Sequence, residues 1–355
     1  MTGPAARLLT PGNALLAAVV VLLLALPGIA SDFFVTSVMI ETLILGLIAA
    51  TVVFLASHAG MISLAQLLFA GIAGFMFGNA ALESGARGLN LGWPPWVAVV
   101  FALGVTTVVA FLLGALGSRT TGIYFLMLTL VYGVIGFTFF AQVVTISGPG
   151  GVTSIVAPEP FTDKVNLYYV AVVVSVLVYL AFRAIGRTNF GLALQGVRDD
   201  PVRMSSLGFN VPLHRSLAFA LGGFVAGLAG LLNVWWRGQI DPASIAITPT
   251  LIVLIVAVIG GISYFEGAWL GAFIYVLIDT YTEAVPLIDR IGLTPDRVET
   301  VIGLMVLLIM VLSPEGLIGI VARVRRGRGG APPAQHSIEL PTTSHPSIQA
   351  SSGAK

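Results

Sequence analysis

The stretch FVTSVMIETLILGLIAATVVFLAS, residues 34–57, decides the fold class of this chain. It contains a single ionisable side chain, Glu41, and a helix of about 20 apolar residues is long enough to cross a ~30 Å hydrocarbon core. The chain as a whole is strongly apolar: 57% of the 355 residues are hydrophobic, only 9% are charged and the mean hydropathy is +0.99. A soluble surface needs roughly 25–35% charged residues. The sequence therefore predicts an integral membrane protein, and its runs lack the alternation of membrane barrel strands.

Runs bounded by charge, Gly or Pro predict an all-α, polytopic protein with about ten transmembrane helices. The predicted spans are 12–30, 34–57, 62–82, 93–117, 122–144, 166–185, 214–236, 248–262, 266–285 and 298–313. Two of them leave open whether they fully cross the membrane. The span 62–82 contains Gln66 and three glycines, and 248–262 is short and ends at Gly260-Gly261, which is also compatible with a broken helix inside the protein.

The distribution of Lys and Arg predicts the orientation, because basic residues concentrate in cytoplasmic loops. With a cytoplasmic N-terminus, eleven basic residues fall on the cytoplasmic side: Arg7, Arg119, Arg183, Arg187, Arg198, Arg203, Arg215, Arg323, Arg325, Arg326 and Arg328. Five fall on the outer side: Arg87, Lys164, Arg237, Arg290 and Arg297. The even number of spans then places both termini in the cytoplasm of a multi-pass protein of the cell (plasma or inner) membrane.

The two ends of the chain are predicted to lie outside the membrane. Residues 1–11 form a cytoplasmic N-terminus, and residues 12–320 form the transmembrane domain. Residues 321–355 form a disordered cytoplasmic tail, because their Gly, Pro, Ser and Thr cannot bury enough apolar surface to fold. The small residues around Gly28 and Ala30 leave open whether a signal peptidase removes the first span.

The connection GRTNFGLALQGVRDDPVRMSSLGFNVPLHR, residues 186–215, gathers charge in a chain that otherwise has little. Residues 190–207 mix apolar and charged positions as a helix does, and Gly208 stands where such a helix would end. A short amphipathic helix of mixed charge favours docking into a groove of a partner protein. Pro201 predicts a kink, or a new helix that starts at Val202.

This connection resembles the coupling loop of the LivM-type permeases of branched-chain amino-acid ABC importers, with the pattern G-R-A-L-x-A-I-R-[ED]-[DN]-x-x-A-A-x-x-x-G-I-[ND]. The similarity continues in SHAGMISLAQLLFAGIAGF (57–75), TTGIYFLMLTLVYG (120–133), TISGPGGVTSIVAP (145–158), VIGGISYFEGAWLGAF (258–273) and LSPEGLIG (312–319). Together these motifs cover most of residues 35–320.

The resemblance implies an ABC importer permease fold in which residues 193–208 form a cytoplasmic coupling helix that ends at Gly208. The residues that would face an ATPase are Gln195, Arg198, Asp199, Asp200, Arg203 and Ser205. It also implies a second, LivH-like permease subunit, two cytoplasmic ABC ATPases that bind the ATP, and an external solute-binding protein. This chain would hold no cofactor. Whether the two permease subunits are different chains or copies of one chain is left open.

Departures from the family patterns leave the solute open. Ala65 replaces the usual glycine before Gln66, the turn around Gly148 differs from the family's T-G-G, and Ile262 and Ser263 interrupt the second glycine motif. We expect branched-chain or related amino acids, with urea, short amides or other small polar solutes as alternatives.

Polar residues within or near the ends of the spans mark a candidate translocation path, because buried polar groups in a bilayer need partners or water. These residues are Ser63, Gln66, Asn79, Gln142 and Asn233. Hydrogen bonding between helices is the alternative explanation. The intramembrane acids Glu41, Asp279 and Glu283 indicate a rival function, an ion-coupled secondary transporter, and no Lys or Arg lies within their own helices.

Other classes of function find no support. Neither a Walker A pattern nor the motif of an intramembrane serine or metalloprotease occurs, so the chain is predicted to be a transporter subunit and not an enzyme. Without cysteine, and with His58 alone in its region, the sequence offers no metal site. A net charge of +1 excludes a generally basic nucleic-acid binder. The pairs Gly223/Gly227 and Gly267/Gly271 predict close helix packing.

Overall fold

The computed structural model describes residues 11–82, 89–148, 150–159 and 161–282, together with residues 303, 316 and 317. Within these residues the chain is helical apart from turns, loops and one isolated antiparallel bridge, between Val152 and Ile240. Their α-helices are α1 (Pro11–Ala25), α2 (Ile40–Phe54), α3 (Gln66–Ala81), α4 (Pro95–Gly117), α5 (Ile123–Gln142), α6 (Val144–Ser147), α7 (Lys164–Ile185), α8 (Asn189–Asp199), α9 (Pro201–Ser206), α10 (Val211–Arg237), α11 (Ile247–Gly260) and α12 (Phe265–Thr282). Short 3-10 turns occupy Leu26–Gly28 and Pro242–Ile245. The predicted all-α class is confirmed.

Helix α2 is the centre of a longer continuous helix. Turns of π-helix at Phe34–Met39 and Leu55–Ala59 extend it at both ends, and we call the whole of Phe34–Ala59 the α2 rod. Its 26 residues correspond to a length of about 39 Å at 1.5 Å per residue. Nearly nine-tenths of its most apolar window, 89%, is buried inside the protein. The α2 rod is therefore an internal element that reaches from one end of the molecule to the other.

The described residues contain five helices long and apolar enough to cross a membrane: the α2 rod, α4, α5, α7 and α10. Helices α11 and α12 together make a sixth candidate, a broken span or a re-entrant loop with a bend of 117°. Nine of the ten predicted spans coincide with helices, but α1, α3 and α11 have only 15, 16 and 14 residues. A full crossing takes about 20 residues. Of the predicted span 298–313 only residue 303 is described, and residues 1–10, residues 321–355 and Glu283 lie outside the described residues.

The centre of the fold is built from the α2 rod, α3 and α10. Helix α10 packs along α3 and α4, while the α2 rod packs against α12, α10 and α11. Small residues allow these contacts: a methyl group at Gly223 would overlap Ala110, and one at Gly267 would overlap the backbone of Gly260. The close packing predicted at these glycines is confirmed. Helices α4 and α5 leave most of their apolar surface exposed, as helices that face lipid do.

The connections gather at two opposite ends of the molecule. At one end, the Val152–Ile240 bridge joins the segment after α6 to the segment after α10. At the other end, the last turn of the α2 rod lies against Gly186, α8 and Phe265. This grouping agrees with the predicted alternation, which assigns residues 145–165 and 237–247 to one side and residues 186–213 to the other.

Candidate functional site

Residues 188–208, which we call the coupling segment after their predicted role, form two short capped helices. The Thr188 hydroxyl accepts a hydrogen bond from the Gly191 N–H (3.3 Å) and starts α8. The Asp200 carboxylate accepts one from the Arg203 N–H (2.9 Å) and starts α9. Gly208 ends the segment at φ +90°, a conformation that favours glycine. Side-chain caps of this kind satisfy backbone donors that a helix start leaves unpaired.

Of the two outcomes predicted for Pro201 within residues 193–208, a kink or a new helix, the structure has the new helix. The backbone becomes extended at Asp200 (φ −151°, ψ 92°), and the second helix begins at Pro201, one residue before the predicted restart. Proline is favoured at the first position of a helix, where its missing N–H is not needed. A side chain at Gly196 would overlap the sulfur of Met204, so the two short helices pack closely on each other.

Arg198 holds the coupling segment to the end of the α2 rod. Its Nη1 donates a hydrogen bond to the Ser57 carbonyl, and its Nε donates to Asp199 Oδ1 at 2.8 Å. Its aliphatic stem lies against Gly60, where an added Cβ would come within 2.6 Å of Arg198 Cγ. Gly60 is also in the left-handed region, at φ +65°. The predicted ATPase-facing residue Arg198 therefore also makes the main polar contact between the coupling segment and the α2 rod.

An aromatic cluster continues this contact into the membrane domain. The His58 ring packs against both Phe54 (5.4 Å) and Phe265 (5.2 Å), and its Nδ1 hydrogen-bonds with the Ser57 hydroxyl at 2.8 Å. Phe182 of α7 stacks on Phe54 at 4.4 Å. The C-terminal end of the α2 rod is thus packed against α7 and α12, next to the coupling segment.

The outer surface of the coupling segment combines charge with apolar groups. Val202 and Leu207 are 73% and 65% exposed, while Leu194 and Val197 are buried against the membrane domain. Gln195 is half-buried and donates to the Gly186 carbonyl at 3.1 Å. The other residues predicted to face an ATPase are exposed: Arg198, Asp199, Asp200, Arg203, Ser205 and Gly208. This surface has the composition that docking to a protein groove requires.

The structure separates the five predicted path residues. Asn79 is buried and fixes two loops, since its Nδ2 donates to Phe75 and Ile146 carbonyls at 2.7 Å each and its Oδ1 accepts from Leu89 N–H. Gln142 is exposed at the last position of α5. Only Ser63, Gln66 and Asn233 lie beside the internal spaces described next.

A cavity of about 270 Å³ lies between the α2 rod, α10, α11 and α12. Its polar lining residues are Glu41, Asn233, Arg237, Ser244, Tyr275 and Asp279. Its apolar lining includes Ile44, Ile48, Leu67, Ile252 and Val253. The sequence predicts Asn233 for the path and marks the acids Glu41 and Asp279, but it does not single out Arg237. A signal for Arg237 was present in the predicted topology, which puts Arg237 and Glu41 at the same end of their spans.

Arg237 is the central polar group of this cavity. Its Nη2 lies 3.3 Å from Glu41 Oε1, and its Nε donates to Asn233 Oδ1 at 3.1 Å. The guanidinium also lies 5.1 Å from the Trp236 ring centroid, and the Trp236 indole donates to the Thr36 carbonyl at 2.8 Å. Three contacts thus orient the guanidinium within the cavity. The helix of Glu41 has no Lys or Arg of its own, and its basic partner comes from α10.

A second polar space lies deeper and is closed. Ser63, Gln66 and Thr250 line it, and it has no room for a water molecule. Gln66 is 1% exposed; its Nε2 donates to Ser63 Oγ at 3.4 Å, and its Oε1 has no hydrogen-bond partner among the described residues. Leu67 and Val253 line both spaces. These two apolar side chains therefore separate the open cavity from the buried amide of Gln66.

Metal chemistry has no visible site in the described part of the chain, where no group of three or more His, Asp or Glu side chains is arranged to hold an ion. The histidine of the aromatic cluster, His58, has aromatic and hydroxyl neighbours instead.

Comparison with known proteins gives matches over most of the chain. The family of permease components of branched-chain amino acid transport systems matches residues 34–311. The high-affinity branched-chain amino acid transport system permease protein LivM of Salmonella typhimurium is 24% identical over 289 residues (73% of this chain, 65% of the relative). The protein of the same name from Escherichia coli is 25% identical over 306 residues (76% and 68%). The fructose import permease protein FruF of Bifidobacterium longum is 23% identical over 267 residues (71% and 70%).

The matches span about two thirds of the length of the two LivM relatives. No solved structure matches the chain. The family match includes the α2 rod, the coupling segment and every residue that lines the cavity. The chain therefore belongs to the family of permease components of branched-chain amino acid transport systems.

Proposed function

We propose that this chain is the inner-membrane permease subunit of an ATP-driven ABC importer for branched-chain or related amino acids. The family match over residues 34–311 is the observation that carries the proposal. The LivM relatives are named for branched-chain amino acid transport, and FruF is named for fructose import. Family membership alone therefore leaves the solute to be tested, and leucine is the first solute to try.

The coupling segment is the proposed receiver of force from an ATPase. Closure of an ATP-bound ATPase dimer would move a rigid docked element and re-aim the helices joined to it. Arg198 and Gly60 support this role, because they connect the coupling segment to the α2 rod. The α2 rod in turn carries Glu41, Ile44 and Ile48 to the cavity. Movement at the segment would thus reach the cavity through one continuous helix.

The proposed assembly contains three kinds of partner besides the lipid bilayer. A second, LivH-like permease would complete the route, two cytoplasmic ABC ATPases would bind and hydrolyse ATP, and an external binding protein would deliver the solute. The sequence supports the need for separate ATPases, since it has no Walker A motif. In this arrangement the coupling segment and both termini lie in the cytoplasm, and the cavity opens outwards.

An ion-coupled secondary transporter is the second candidate, because Glu41 and Asp279 line the cavity. Proton- or ion-coupled carriers use intramembrane acids of this kind.

Reconstitution separates the two functions. Radiolabelled leucine uptake would be measured in proteoliposomes that hold either this chain alone or the chain with its partner permease, ATPases and binding protein. The importer requires uptake by the full complex with internal ATP and none by the chain alone. Uptake by the chain alone under a proton or sodium gradient would overturn the importer and support the secondary transporter.

A further inference from the structure

We infer that the cavity at Arg237 is a solute subsite for a zwitterionic amino acid with an aliphatic side chain. Arg237 would bind the carboxylate, Glu41 and Asp279 would bind the ammonium group, and the apolar wall would take the side chain. The inference rests on the proposed function and adds a site and a charge requirement to it. It begins from a juxtaposition of one guanidinium and two carboxylates beside aliphatic residues in one cavity.

The guanidinium is prepared for a carboxylate. Arginine has five N–H donors in a planar fork that matches a carboxylate in a bidentate manner. Hydrogen bonds to Asn233 and Glu41 occupy two of these donors within the described part of the chain. Contact with the Trp236 ring orients the fork further. Donors therefore remain for a solute carboxylate while Asn233 and Trp236 hold Arg237 in place.

The Glu41–Arg237 contact is suited to exchange. Its side chains are 33% and 52% exposed and 3.3 Å apart, and partly exposed ion pairs of this kind contribute little to stability. A zwitterion can insert between the two groups and replace one ion pair with two. Asp279 adds a second carboxylate to the lining of the cavity.

The apolar wall selects the shape of the solute. Ile44, Ile48, Ile252 and Val253 present branched aliphatic groups to the cavity, and Leu67 closes its inner end. The volume of 270 Å³ lies just below the range of about 300–1,000 Å³ typical of pockets for drug-sized ligands. A solute of amino-acid size with an aliphatic side chain fits this combination of volume and lining.

The same features count against a neutral polar solute. Urea or a short amide carries no charge, so it would gain no ion pair with Arg237 or Glu41. It would also leave the aliphatic wall in contact with water or a polar surface, which is unfavourable. The cavity thus favours an amino acid over the neutral solutes that the sequence left as alternatives.

Photolabelling of the complete complex tests the subsite directly. The probe is a leucine analogue with a diazirine in its side chain, applied without ATP to the complex in detergent or nanodiscs. Labelled positions are mapped by mass spectrometry. We expect labels on the residues of the α2 rod and α11 that form the apolar wall. Leucine should compete with the probe, and leucinamide, 4-methylpentanoate or urea should compete about tenfold less strongly or weaker still.

Charge variants provide the specificity readout. Arg237→Gln should weaken competition by leucine about tenfold and make leucine and leucinamide equal competitors, while Arg237→Lys should partly restore the preference. Glu41→Gln should remove the preference of leucine over 4-methylpentanoate. Lys164→Gln and Glu159→Gln, exposed charges at the same end of the molecule, should behave as wild type. A change in ligand preference does not follow from loss of folding alone.

The outcomes separate the subsite from the proposed function. No labelling of the wall in the wild type, or unchanged ligand preference in Arg237→Gln, would overturn the subsite even if ATP-driven uptake is intact. Arg237-dependent labelling in a complex that shows no ATP-driven uptake would support the subsite and overturn the importer.

Discussion

Arg198 is the residue at which the coupling segment and the membrane domain meet. It bonds to the Ser57 carbonyl, pairs with Asp199 at 2.8 Å, and lies against Gly60. Its position gives a physical reason for a glycine at residue 60: the backbone is left-handed and no space remains for a Cβ. Coupling between the coupling segment and the membrane domain should therefore depend on Gly60, a residue that has no side chain.

Gly60→Ala should reduce leucine uptake per folded complex several-fold. The new methyl group displaces the Arg198 stem, and the left-handed backbone adds roughly 1–2 kcal/mol of strain. Gly238→Ala is the matched control, because Gly238 has φ +69° but its nearest atom to an added Cβ is 3.7 Å away. Both variants should lose similar thermal stability. Equal uptake by the two variants would show that the Arg198 contact does not transmit force.

At the scale of elements, α9 depends on its cap. Asp200→Ala removes the acceptor for the Arg203 N–H and should cost about 1 kcal/mol of local helix stability. Hydrogen exchange of the amide groups of residues 202–206 and of the residues that follow should become faster. Asp200→Asn removes the charge but keeps a good capping group, so it should preserve protection. Faster exchange in both variants would assign the effect to charge and not to capping.

The hairpin of α11 and α12 depends on glycine contacts. A Cβ at Gly267 would lie 2.5 Å from the Gly260 carbonyl oxygen, and backbone atoms cannot move aside cheaply. Gly267→Val should therefore destabilise the protein by about 1–3 kcal/mol, seen as a lower melting temperature in detergent. Gly104→Val is the control, because nothing lies within 4 Å of a Cβ there. An unchanged melting temperature for Gly267→Val would contradict the packing of this hairpin.

At the scale of the whole molecule, the predicted orientation can be measured with single cysteines, because the chain has none of its own. Ser205→Cys and Glu159→Cys place a thiol at exposed positions at opposite ends of the molecule. A membrane-impermeant maleimide added to intact cells should label Glu159→Cys, and Ser205→Cys only after permeabilisation. The reverse pattern would place the coupling segment outside the cell and exclude ATPase docking.

The apolar runs were sufficient to predict nine helices, because membrane helices are marked by local composition. They misplaced the start of α3, where residues 61–65 are not helical: Leu64 N–H bonds to Thr129 Oγ1, 65 residues away. They also gave no account of the Glu41–Arg237 pair, whose members lie 196 residues apart. Contacts of this kind arise from tertiary packing. The polar character of Asn79 was visible in the sequence, but its bonds to two loops were not.

The central claim, that ATP hydrolysis drives solute through this chain by way of the coupling segment, is tested by the number of leucine molecules imported per ATP hydrolysed. The measurement uses proteoliposomes with the full complex and compares wild type, Arg203→Glu in the exposed face of the segment, and Arg187→Glu, an exposed arginine just before the segment. We predict that Arg203→Glu lowers this ratio at least fivefold, while Arg187→Glu keeps the wild-type value. An unchanged ratio in Arg203→Glu, or leucine uptake that continues without ATP, would contradict the account.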